Sequence, residues 1–122
     1  MNRLEALADA IAAVNGFKDP DSQAYQLRNP LGLKDFNNGV CLKKLRRFNS
    51  LLGGYAAGIA DLKIKCSGKS RAKLEDQFNL QGLMRVYYMP DQTTIYVARF
   101  LRKALRDDTI KETTELSYFV EQ

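Results

Sequence analysis

The 122-residue chain contains no histidine and no tryptophan, and only two cysteines and three prolines. Without histidine, imidazole-based triads are excluded, as is most acid–base catalysis poised near neutral pH. Two cysteines and no histidine leave too few ligands for a zinc site of the usual nitrogen–sulfur kind. Cys41 and Cys66 show no spacing that argues for a disulfide, and two reduced, mostly buried thiols are the plainer expectation. No window approaches the roughly 18 consecutive apolar residues of a membrane span, so none is predicted. The segment Met1 to Phe17 is interrupted by Glu5 and Asp9 and does not read as a secretory signal, which points to synthesis in the cytoplasm. Gly68-Lys69-Ser70 resembles the end of a phosphate loop. The required glycine is missing, however, because position 63 is Lys, and a predicted helix precedes the motif where a strand is needed. No cofactor, nucleotide or metal is therefore expected.

What is present fits one packed domain. The hydrophobic content of 45% is that of a globule and not of a disordered chain. Nineteen Lys and Arg against 14 Asp and Glu give a net charge of +5, which favours anionic partners such as nucleic acid, a cell envelope or an acidic protein.

Leu4, Leu7, Ala8, Ile11 and Val14 recur at helical spacing. Asn2 and Glu5 form a capping box and Gly16 a terminator, which predicts a helix over Arg3 to Val14. Lys18-Asp19-Pro20-Asp21-Ser22 is turn chemistry, with Asp and Ser bonding back to nearby amides. A short helical turn is expected over Gln23 to Leu27. Pro30 pushes Asn29 out of the helical region. Leu33 to Phe36, Asn38-Gly39 and Val40 to Leu42 read as a small hairpin.

A second long helix, capped by Asn49 or Ser50, should bury Leu52, Tyr55, Ala56, Ile59, Leu62 and Cys66 and stop at Gly68. Glycine inside a helix costs about 1 kcal/mol against alanine. Gly58 is therefore read as a packing notch, and Gly53-Gly54 as part of the helix start. A helix over Asn79 to Tyr88 should turn Leu80, Leu83, Met84 and Tyr87 inward, and Ser70 to Gln77 is a further helical candidate. Past Pro90, Asp91 or Thr93 should cap a helix through Leu105 that buries Ile95, Ala98, Leu101 and Leu105. A last short segment, helical in expectation, runs from Asp107 to Phe119.

Three basic runs stand out: Lys43-Lys44-Leu45-Arg46-Arg47; Lys63, Lys65, Lys69, Arg71 and Lys73; and Arg99, Arg102, Lys103 and Arg106. The third falls at i, i+3, i+4 and i+7, one stripe of a helix, with Phe100 and Leu101 expected to point elsewhere. A solvated helix face is the plainer reading and contact with phosphates the sharper one. No finished base-reading module is visible.

Several segments carry a resemblance in chain order. They are Ala10-Ile11-Ala12-Ala13-Val14-Asn15-Gly16-Phe17; Arg28-Asn29-Pro30-Leu31-Gly32-Leu33; the run Phe48 to Leu62, with Leu52-Gly53-Gly54-Tyr55-Ala56-Ala57-Gly58; Tyr87-Tyr88-Met89-Pro90; and Tyr96-Val97-Ala98-Arg99-Phe100-Leu101. Over Ala10 to Leu105 the chain resembles phage and prophage proteins of the lysozyme-like superfamily, relatives of lytic transglycosylases. The resemblance implies a mainly α, single-domain lysozyme-like helical bundle with a small extended hairpin. It also implies peptidoglycan or another glycan as partner, and a virion or cell-wall destination.

In that family the first helix ends in a catalytic Glu, and the matching position here is Asn15. A carboxamide has no proton to transfer to a glycosidic oxygen, so the resemblance implies a catalytically degenerate protein that binds glycan. Tyr25, Arg28 and Asn29 would line the cleft with Asn15. Asp19 and Asp21 are the nearby carboxylates that could replace the lost acid, although backbone capping is their simpler role. The competing expectation is a small basic phage-encoded binding protein or inhibitor, acting on host nucleic-acid machinery or a defence complex through the Arg99–Arg106 stripe.

Overall fold

The computed structural model describes residues 2–37, 40–68 and 78–121. The turn at Asn38-Gly39 and the helical candidate Ser70 to Gln77 lie outside them. Five α-helices occur among the described residues: α1 (Arg3–Val14), α2 (Gln23–Gln26), α3 (Leu51–Cys66), α4 (Leu80–Val86) and α5 (Asp91–Leu105). One antiparallel hairpin, β1 (Lys34–Asn37) and β2 (Val40–Leu45), stands between α2 and α3, and a 3-10 turn, Leu116–Phe119, follows α5. The expected mainly α fold with a small hairpin is what the chain adopts.

α1 begins on the capping box foreseen for it: the Asn2 Oδ1 accepts the Glu5 amide at 2.7 Å and the Asn2 amide donates to the Glu5 carboxylate. Ala6, Ala8, Ala10 and Ala12 flank Leu7 and Ile11 on its buried side. Such small residues let α5 and α3 pack closely against it. Leu62, Leu80, Leu83, Met84, Val97 and Leu101 complete the centre of the core. Cys66 joins them, and burial pushes its thiol up to about 12, so it behaves as an apolar filler.

The inward stripe of α3 differs from expectation. Leu52 is 81% exposed and Ala56 is also exposed, whereas Gly54 and Gly58 are buried. The reason is tertiary. A Cβ on Gly54 would lie 1.9 Å from the Arg28 carbonyl oxygen, and one on Gly58 would lie 2.8 Å from Leu31 Cδ1. The loop carrying Arg28 to Leu31 rests on these two glycines, so Gly54, which stands in the first turn of α3 as expected, is also a packing notch like Gly58.

α5 buries Ala98 and Leu101 and packs Leu105 against the core as expected, but Thr94 and Val97 are also buried and Ile95 is exposed. Asp91 does not cap it. Its carboxylate takes a two-pronged hydrogen bond from Arg85 (2.9 and 3.0 Å), and Pro90 occupies the cap position. The last segment is also not an α-helix. It runs as turns into the 3-10 turn and closes the start of α4, where the Leu80 and Gln81 amides donate to the Thr114 and Glu112 carbonyls at 3.0 Å each. These are helix-start donors that would otherwise lack partners.

Candidate functional site

The end of α1 is a Schellman turn. The Gly16 amide donates to Ala13 and the Phe17 amide to Ala12, with Gly16 at φ +72°. This turn fixes Asn15, the last half-helical residue, whose Nδ2 donates to the Pro30 carbonyl at 3.0 Å. Gly32 passes so close that a Cβ there would lie 3.3 Å from the same Nδ2. Asn15 is half-buried and lines a cavity of about 360 Å³ with Gln23, Gly32, Lys34, Tyr87 and Tyr88.

The end of α4 repeats the hydrogen-bond pattern with a different residue. The Tyr88 amide donates to Arg85 and the Met89 amide to Met84, but the left-handed position, φ +61°, is held by Tyr88 where glycine is usual. A bulky side chain there costs roughly 1 kcal/mol. The turn leaves the Tyr88 ring 69% exposed at the cavity wall, with the Lys34 ammonium 5.4 Å from its centre.

A second lobe, about 440 Å³, shares Gly32, Lys34, Tyr87 and Tyr88 with the first and runs between the hairpin and α3. On its wall the Asp61 Oδ2 accepts from Tyr87 Oη at 2.6 Å and from the Lys65 ammonium one turn on. Burial first, and the Asp61 charge second, push the Tyr87 hydroxyl far above its ordinary range, so it stays a hydrogen-bond donor. Lys65 is nearly covered and lies 5.2 Å from the centre of the Tyr87 ring.

Asn29 determines how the hairpin stands over this groove, although it does not face a ligand. It is fully buried; its Nδ2 donates to the Leu33 and Arg46 carbonyls and its Oδ1 accepts the Leu33 amide, all at 2.9 Å. One side chain thus clamps the chain before β1 to the chain after β2, which corrects its expected place in the cleft lining. Within the hairpin, Lys34 pairs with Leu45 and Phe36 with Cys41; β2 carries two extra residues between those positions, with Lys43 at φ +57°.

The remaining sequence candidates do not line the Asn15 cavity. Tyr25 and Arg28 line a separate depression of about 350 Å³ with Phe17, Gln26 and Leu51. Arg28 sits at φ +52° because its carbonyl must meet Gly54. The Asp19 Oδ1 accepts the Asp21 amide at 2.9 Å, and both residues are exposed on the α1–α2 loop. On α5, Arg102 donates to the Ile110 carbonyl at 2.9 Å and Arg106 closes the helix at φ +51°. Arg99 lies 5.8 Å from the Tyr96 ring, and Lys103 is exposed. Phe100, 38% exposed, shows part of its ring on the outer side of the helix with them.

The Asp61–Lys65–Tyr87 cluster was missed in the sequence. Asp61 and Lys65 stand four apart on a helix, which hints at a pair, but the 26 residues between Asp61 and Tyr87 hide the rest. Among the described residues, no helix is long and apolar enough to cross a membrane, and no three His, Cys, Asp or Glu side chains gather as a metal site. Compared with protein families, with curated proteins and with solved structures, the chain finds no match.

Proposed function

We propose that the chain is a lysozyme-like protein of phage or prophage type that holds peptidoglycan strands in the Asn15 groove without cleaving them. The observation that carries this reading is the Asn15 carboxamide on the wall of a cavity between a helix end and a hairpin. The resemblance assigns the catalytic acid to that position. An amide there donates and accepts hydrogen bonds, as sugar hydroxyls require, and transfers no proton. Tyr88 presents a ring face of the kind that sugars stack on, held in a conformation that opposes local backbone preference. Hydrolysis of the glycosidase type needs two carboxyl groups across the bond. Among the described lining residues, the one carboxylate is Asp61 of the second lobe, and it is tied to Lys65 and Tyr87.

The full chain should co-sediment with purified sacculi and release no muropeptides, and Tyr88→Ala should lose most of the retention. Absence of retention overturns the reading. Muropeptide release abolished by Asp19→Ala or Asp21→Ala overturns the non-cleaving part of it and places catalysis on the α1–α2 loop.

A second reading rests on α5, where Tyr96, 59% exposed, and Phe100 stand beside Arg99 and Lys103. Aromatics interleaved with cations suit single-stranded nucleic acid. Filter binding over a salt series, with Lys103→Glu as control, decides it: a steep fall with salt that the variant weakens supports this reading, and no detectable binding removes it.

A further inference from the structure

We infer that the second lobe of the groove receives an acidic peptide branch carried by the glycan, with Arg46 and Lys34 meeting its carboxylate; this rests on the glycan reading of the Asn15 lobe. The charges around the lobe are unequal. Among the described lining residues, Lys34, Arg46 and Lys65 stand against one carboxylate, Asp61. Asp61 is committed to Lys65. Lys34 and Arg46 have no carboxylate partner among the described residues. Their charged ends lie over aromatic rings, 5.4 Å from the centre of Tyr88 and 4.7 Å from that of Phe48. Such contacts stabilise a cation modestly and leave its hydrogen-bonding capacity free.

Between these cations the wall is aliphatic, made by Ala57, Ala60 and Ile64 of α3 and Val86 of α4. A neutral sugar makes little use of two free cations beside an aliphatic surface. A polynucleotide needs cations along its whole track, yet the described lining of the Asn15 lobe contains one, Lys34. The arrangement fits a ligand that is neutral at one end and bears a short aliphatic arm ending in a carboxylate. Because both lobes share Gly32, Lys34, Tyr87 and Tyr88, sugar and branch can be held together.

Calorimetric titration of the full chain with three ligands tests this: a disaccharide bearing the acidic peptide, the same disaccharide without it, and the peptide-bearing form with its carboxylates amidated. The peptide-bearing ligand should bind about tenfold or more tightly than either of the others, the size expected for hydrogen bonds to a charged group. Arg46→Gln should erase that margin and leave binding of the bare disaccharide unchanged, with the thermal midpoint confirming that the variant is folded. Equal affinity for all three ligands, or equal weakening of all three by Arg46→Gln, overturns the inference and leaves the glycan reading standing. Binding of none of them overturns both.

Discussion

Tyr87 and Tyr118 look alike on paper and do different work. Each donates its hydroxyl to an aspartate, Asp61 at 2.6 Å and Asp107 at 2.7 Å. Each has a cation over its ring, Lys65 at 5.2 Å and Arg3 at 4.0 Å. The Tyr118 set joins the chain ends: Arg3 also donates to the Tyr118 carbonyl at 3.0 Å, and Asp107 is held by the Thr109 side chain. Hydrogen bonds from Thr109 first and Tyr118 second keep the half-buried Asp107 carboxyl below its ordinary range. The Tyr87 set stands on the wall of a cavity beside two cations that have no carboxylate partner among the described residues. The same constellation ties the chain ends together in one place and borders an open cavity in the other, so surroundings decide what a polar cluster can do.

The difference can be broken from the groove side. Asn29→Ala should have the largest effect, because it removes three hydrogen bonds from a fully buried amide and leaves backbone groups without partners. A loss of about 3 kcal/mol or more in denaturant unfolding is expected, and glycan binding should go with it. The Arg3–Tyr118 clasp should persist in amide exchange under native conditions. Next comes Asp61→Ala, which strands the nearly covered Lys65 ammonium; a loss of about 2–3 kcal/mol is expected, lowered from the fully buried case by partial exposure.

Alkaline titration sharpens the comparison. A hydroxyl whose value is raised on folding contributes stability below the unfolded value, here 10, and loses it as pH rises through the folded one. Stability should therefore fall above about pH 10. Tyr87→Phe should flatten that fall more than Tyr118→Phe, because Tyr118 is raised by a weaker burial and its bond to Asp107. Equal flattening by the two variants would show that the groove tyrosine has no special environment. The smallest effect is a gain: Tyr88→Gly should relieve the left-handed strain and stabilise the fold by up to about 1 kcal/mol while weakening glycan binding.

Much of the helical frame was legible locally. α1 could be bounded from Asn2, Glu5 and Gly16 because caps act within a turn. The hairpin and the Gly58 notch were likewise visible. What escaped depended on contacts between distant segments. Gly54 has its reason in the Arg28 carbonyl, and Asn29 in Leu33 and Arg46. Leu52 of α3 and Ile95 of α5, expected inward, are exposed, while Leu62, Cys66, Ala98 and Leu101 are buried as expected. Asn15 lines a cavity with Gly32, Tyr87 and Tyr88, while Tyr25 and Arg28 line another depression. Sequence order could not reveal that the end of α4 would line the same cavity as the end of α1.

The most direct measurement follows the Asn15 side-chain amide by NMR while a soluble peptidoglycan fragment is added. If the groove grips glycan through this carboxamide, its Nδ2 proton signals move together with those of Gly32 and Tyr88, and the fragment stays intact. Signals at these three positions that hold still while others shift, as on the outer face of α5, would contradict it.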